Sequence, residues 1–197
     1  DTIQRAAQQN REVIDQVVRE LRNARGIFFV AAGSSYHACL AASYIMSKVS
    51  KLHINVVLAS EFPHYEHYLT DKTLVIAVSQ SGETADVLEA VKSAKAKKSK
   101  VISLVNVVGS SLTRSSDMFL NINAGPEICV LSTKTYTSQV ALFTLLSYAL
   151  NDRYEEGRKR LNYLWNEIYQ LTSATTREKI KELAEKLQDK DHIFLIG

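Results

Sequence analysis

A short apolar run, Thr73-Leu74-Val75-Ile76-Ala77-Val78, passes directly into Ser79-Gln80-Ser81-Gly82-Glu83-Thr84, and a helical pattern follows from Ala85 to about Lys97. A buried strand thus feeds a helix through a turn of hydroxyls, an amide and one glycine. The leading N–H groups of a helix have no intrahelical partner, and the dipole there favours negative charge. Hydroxyls and backbone N–H groups gathered at that point form an anion site, most naturally for a phosphate. Gly82 permits close backbone approach. No Lys or Arg lies between Ser79 and Thr84, so neutral donors would hold the anion. One hydroxyl would read as a helix cap. Three hydroxyls and a Gln in six residues read as the anion site.

Composition narrows the class. The length of 197 residues fits one domain or slightly more. With 46% hydrophobic and 23% charged residues the chain reads as an ordinary soluble globular protein. A net charge of +3 is too small to argue for nucleic acid. The lysines between Lys92 and Lys100 suit a helix C-terminus and a solvated face. Two cysteines, Cys39 and Cys129, build no disulfide framework, and their surroundings read as buried. A reducing, cytoplasmic setting is expected. No apolar run reaches the ~20 residues of a membrane helix, and no signal peptide is visible. The first residue is not Met and the last follows an apolar run, so both ends read as cut from something longer.

In chain order, residues 3–24 read as a helix with Ile14, Val17, Val18 and Leu21 in one stripe, capped by Asp1 or Thr2. Ile27-Phe28-Phe29-Val30-Ala31-Ala32 reads as a strand buried on both faces. It ends in Gly33-Ser34-Ser35-Tyr36, where the serines serve as helix cap or as ligand donors, and a helix runs to about Val49 with Leu40, Tyr44, Ile45 and Val49 inward. A strand over Ile54–Ala59 leads to a polar, aromatic connection, Pro63–Asp71. Its His64 and His67 read as surface histidines rather than metal ligands. The helix after the central loop turns Val87, Leu88 and Val91 inward. Strands follow over Lys100–Val105 and Asp117–Ile122, with an irregular or helical piece between them. Asn123–Glu127 is a loop by its turn residues. Ser132 caps a helix to about Leu150 that is apolar nearly all round and so is buried, in the core or against a second subunit. Lys134 opposes the dipole in the first turn, which either marks an acidic group nearby or is a plain surface lysine. Residues 153–190 read as two connecting helices. Residues 191–197 echo the first strand and read as the start of a second, truncated copy.

Strands alternating with helices mean a parallel sheet with right-handed crossovers. We expect a three-layer α/β/α unit over residues 26–152, with flanking helices and five parallel strands in the flavodoxin-like order 2-1-3-4-5; residues 1–25 precede it. In that order strands one and three are neighbours, and ligands bind between their C-terminal ends. The loops 33–36 and 79–84 leave those two strands. A phosphorylated sugar suits a crevice lined by both. Neither a P-loop nor a dinucleotide fingerprint is present, and no cofactor or metal is expected.

Several segments in order carry a resemblance: Ala32-Gly33-Ser34-Ser35-Tyr36, Ser60-Glu61-Phe62, Ser79-Gln80-Ser81-Gly82-Glu83-Thr84-Ala85-Asp86, Asn106-Val107-Val108-Gly109-Ser110-Ser111, Gly125-Pro126-Glu127, and Val130-Leu131-Ser132-Thr133-Lys134. Together they resemble the sugar isomerase (SIS) module, and more narrowly the first of two such modules in isomerising glucosamine–fructose-6-phosphate aminotransferases. The similarity runs from about Arg25 to Leu150. Those enzymes move glutamine-derived ammonia to fructose 6-phosphate and isomerise the product to glucosamine 6-phosphate. The resemblance implies that Ser79, Gln80, Ser81 and Thr84 hold the phosphate, and that Ser34, Ser35, Val130 and Ser132 line the sugar. It implies a homodimer. The family usually has Cys at Ala32 and Thr at Ser34; the serine keeps the hydroxyl. Residues 1–197 carry no glutaminase domain, and by the resemblance the family's acid–base Glu, ring-opening His and imine-forming Lys are expected beyond Gly197. No catalytic residue is therefore assigned, and the chain alone is expected to bind sugar phosphate weakly without turnover. The alternatives are a non-catalytic sugar-phosphate sensor and a related SIS isomerase or deglycase. The tail at 193–197 favours the enzyme, and the N-terminal helix lacks a DNA-recognition pattern.

Overall fold

Apolar runs of four to seven residues become five strands: β1 Gly26–Ala31, β2 Asn55–Leu58, β3 Thr73–Ser79, β4 Lys100–Val105 and β5 Met118–Asn121. They form one sheet in the order β2-β1-β3-β4-β5, every neighbouring pair parallel. The computed structural model describes residues 2–129 and 131–194. The helices are α1 Thr2–Ala7, α2 Arg11–Asn23, α3 Gly33–Ser50, α4 Ala85–Ala96, α5 Ser111–Ser115, α6 Thr133–Ala149, α7 Tyr154–Gln170 and α8 Ala174–Leu187, with a 3₁₀ stretch over Ala59–Tyr68. The expected strand order holds. β3 is central and buried along its whole length, which is why its sequence is apolar without alternation.

Side chains alternate across the sheet and sort into two cores. Phe29, Ala31, Ile76 and Leu104 join α1, α2, α3, α6 and α7 on one face. Phe28, Val30, Val75 and Val101 join α4, Leu112 of α5 and Phe62 of the 3₁₀ stretch on the other. The rings of Phe29 and Phe143 stack with centroids 4.9 Å apart. Those of Phe28 and Phe62 meet edge to face at 5.9 Å.

Four expectations are corrected. The single N-terminal helix is two, because Asn10 caps α2 by accepting from the Glu12 N–H at 2.8 Å. The freed carbonyls at the end of α1 find partners on α7: Tyr154 Oη donates to Gln9 O at 2.9 Å, and Arg158 Nε donates to Ala7 O at 3.0 Å. Second, α3 buries Ser35, Ala38, Cys39, Ala42 and Met46, not the bulkier row that includes Tyr44, which is 66% exposed. Small residues let α3 lie close to α6, its main partner. Third, Cys129 is exposed, although Cys39 is buried as expected. Fourth, the stripe on α8 stays in solvent, and the helix buries no residue. The apolar helix α6 is covered within the chain, by α1, α3 and α7. Residues 191–194 carry no strand; the rest of that expected strand, 195–197, lies outside the described residues.

Candidate functional site

β1 and β3 are paired in register, Ala31 opposite Val78, so their C-terminal loops open at one level. The loop after β1 passes at once into α3: Ala32 is the extended N-cap residue, and Gly33 takes φ +56°. The loop after β3 runs to Thr84, the N-cap of α4. Between them lies a cavity of about 280 Å³ lined by Ala32–Ser35, Val78–Ser81, Thr84 and Ser132. Three helices, α3, α4 and α6, therefore begin at this cavity. Their leading N–H groups make it anion-favouring, and none of the lining residues is charged.

The hydroxyls divide the work. Ser79 is only 3% exposed. Its Oγ accepts from the Gly82 N–H at 3.1 Å and lies 2.8 Å from Thr84 Oγ1. This pair folds the turn as well as lining the cavity. Ser81 Oγ accepts from the Glu83 N–H at 3.1 Å, which leaves the Ser81 O–H as a donor. The turn is pinned from outside: Asn106 N donates to Gln80 O at 3.1 Å, and Leu112 N donates to Gly82 O at 3.0 Å. The Glu83 carboxylate accepts from Ser111 N at 2.7 Å. That bond, with help from Arg114, holds the Glu83 pKa below the usual carboxylate range. Gln80 also borders a larger polar cavity of about 620 Å³, with Arg5, Asn106, Asn121 and Glu127 in its wall.

Ser35 is 7% exposed, and Gln139 Nε2 donates to its Oγ at 2.9 Å. Ser132 is the N-cap residue of α6, as the sequence indicates, but in left-handed backbone at φ 53°. The cap is supplied by Glu127, whose carboxylate accepts from the Thr135 N–H and hydroxyl, each at 3.0 Å. The Thr135 N–H is the main reason the Glu127 pKa sits low. This carboxylate is the acidic group beside Lys134, whose Nζ donates to the Pro126 carbonyl. Seven of the eight expected site residues thus line one cavity; the eighth, Val130, lies outside the described residues. His64 is exposed, 3.9 Å from Glu61, and His67 packs on Tyr68.

Sequence reading passed over Gln139 and the capping role of Glu127. The available signal was polar: Thr135, Ser138 and Gln139 stand at i, i+3 and i+4 in the first half of a helix whose other buried residues are apolar except Ser147.

A doubly wound sheet with a hydroxyl-lined crevice at its switch point defines a class of ligand-binding α/β module. The chain belongs to the SIS domain family, whose family model matches residues 20–149. It is 43% identical over 195 residues to the glutamine–fructose-6-phosphate aminotransferase (isomerizing) of Thermococcus kodakarensis, covering 95% of this chain and 32% of that protein. The Aquifex aeolicus protein of the same description is 38% identical over 185 residues, covering 93% of this chain and 31% of its own. The chain spans about a third of the length of these curated relatives. Among solved structures, the C-terminal domain of glucosamine-fructose-6-phosphate aminotransferase from Francisella tularensis superposes with a TM-score of 0.80 at 27% identity, over 97% of this chain and 58% of that one. The Vibrio vulnificus NanR protein complexed with ManNAc-6P shares the fold, at a TM-score of 0.67 and 19% identity, over 88% of this chain and 66% of that one.

Proposed function

We propose that the chain is the sugar-phosphate-binding SIS module of an isomerising glutamine–fructose-6-phosphate aminotransferase. That enzyme makes glucosamine 6-phosphate from fructose 6-phosphate and glutamine-derived ammonia. The observation that carries the reading is the meeting of loops 33–36 and 79–84 in one uncharged cavity at three helix starts. Relatives of that description, matched along nearly the whole chain, support it. Ser81 and the first N–H groups of α4 hold the phosphate, with Gln80 beside them. Ser79 and Thr84 shape that turn as well as facing the ligand. Ser34, Ser35, Val130 and Ser132 face the sugar. The module works in a cytoplasmic homodimer, and residues 153–190 connect it to a second SIS unit that begins at 191–197. Acid–base chemistry belongs to that second unit, so this chain binds ligand without turning it over.

Calorimetry with fructose 6-phosphate, glucose 6-phosphate and inorganic phosphate tests the assignment. Ser81→Ala weakens all three ligands, by roughly tenfold for one charge-assisted hydrogen bond. Ser132→Ala weakens only the sugars. An equal loss for inorganic phosphate in the Ser132→Ala variant contradicts the division of the site.

A further inference from the structure

We propose that Gln139 is a positioning residue for Ser35 and, through it, sets recognition of the sugar. This rests on the reading above that Ser35 faces the sugar. A serine Oγ offers one donor and two acceptor sites. Gln139 Nε2 can only donate, and at 2.9 Å it occupies one acceptor site of Ser35. Among the described residues no other hydrogen bond to Ser35 Oγ is present, so its single O–H remains for the cavity that it lines. An O–H whose oxygen already accepts a bond is polarised and donates more strongly. Gln139 thus turns Ser35 into a directed donor toward an oxygen of the sugar phosphate.

The cost of keeping an amide there supports a functional reason. Gln139 is fully buried, and among the described residues its Oε1 has no hydrogen-bond partner; neither has Oγ of the adjacent Ser138. A buried acceptor without a partner destabilises the fold, and an apolar residue of similar size would avoid that. The inward positions one and two turns further along α6, Leu142, Phe143 and Leu146, are apolar. Nothing in helix packing asks for an amide at 139. The hydroxyl of Ser35, at the start of α3 and across the helix pair, does.

The test uses the whole chain, wild type and the variants Q139M, Q139E, S35A and S35A/Q139M, titrated with fructose 6-phosphate and with inorganic phosphate. Q139M keeps the side-chain volume and removes the donor. We expect it to bind fructose 6-phosphate roughly 2- to 12-fold more weakly, the range for one lost hydrogen bond, with phosphate affinity unchanged. Q139E offers only acceptors and takes the Ser35 proton for itself, so it is at least as weak. In the S35A background Q139M has no further effect. Wild-type sugar-phosphate affinity in Q139M, an undiminished loss on top of S35A, or an equal loss for phosphate each overturns the proposal. Unchanged fructose 6-phosphate binding by S35A overturns instead the placing of Ser35 against the sugar. The unmutated chain supplies a second readout: the Gln139 side-chain amide resonances, assigned through their contact with Ser35, shift on adding fructose 6-phosphate and not on adding phosphate. Resonances that ignore the sugar phosphate sink the idea even where Q139M fails to fold.

Discussion

Gly82 shows how a single residue sets the turn. Its φ of +69° lies in the left-handed region, and a Cβ built there would stand 2.1 Å from Ser110 Oγ. The clash could be relieved only by moving the turn away from Ser110 and from α5, to which Gly82 O is bonded through Leu112 N, and the left-handed φ would remain strained. We therefore expect Gly82→Ala to cost about 2 kcal/mol or more of stability and to weaken phosphate binding together with it. Thermal unfolding and calorimetry check this; a variant with native melting and native phosphate affinity contradicts it. At this scale the sequence was informative where chemistry is local. Ser79, Ser81 and Thr84 surround one glycine between a strand and a helix, and their turn is written in five consecutive bonds' worth of chain. Gln139 was not legible in the same way, because its partner Ser35 lies 104 residues away.

Lys134 in the first turn of α6 left an acidic neighbour and a plain surface lysine both open, and the structure supplies Glu127, seven residues upstream of the lysine, as a cap reaching over the turn. A carboxylate whose pKa is depressed on folding stabilises above its unfolded value, ~4.3, and loses that contribution as pH falls through the lower folded value. For Glu127 the direction is downward, from the Thr135 N–H first and then its hydroxyl and Lys134. Glu127→Gln is therefore expected to melt below wild type at pH 6. The gap should narrow as the pH falls below about 4. Thermal melts of both proteins between those limits decide it; a gap that does not change with pH removes the charged cap from the account. The inward face of α3 was misjudged at the same scale. Period and bulk pointed to the row Leu40, Tyr44, Ile45 and Val49, whereas the buried row is Ser35, Ala38, Cys39, Ala42 and Met46. The close approach of α6 favours that row, because its residues are mostly small.

For the molecule as a whole, burial predicts which parts hold it together. Helix α8 buries no residue, so removing residues 172–197 is expected to leave the melting temperature within about 3 °C of the parent. Phe143, fully buried against Phe29, is the opposite case: Phe143→Ala should cost about 3–5 kcal/mol and lower the melting temperature by roughly 6–20 °C. A large fall on truncation, or a small one for Phe143→Ala, reverses that map. The strand order and the meeting of two serine turns could be reasoned from residues alone. Apolar runs, turn residues and the handedness of crossovers are local or general, and together they leave few topologies. The division of labour among the hydroxyls, the Glu127 cap and the Ser35–Gln139 bond could not. Those depend on which helix faces lie side by side. That is settled by how side chains of particular sizes pack after the sheet has formed, and distant stretches of sequence carry no mark of their future contact.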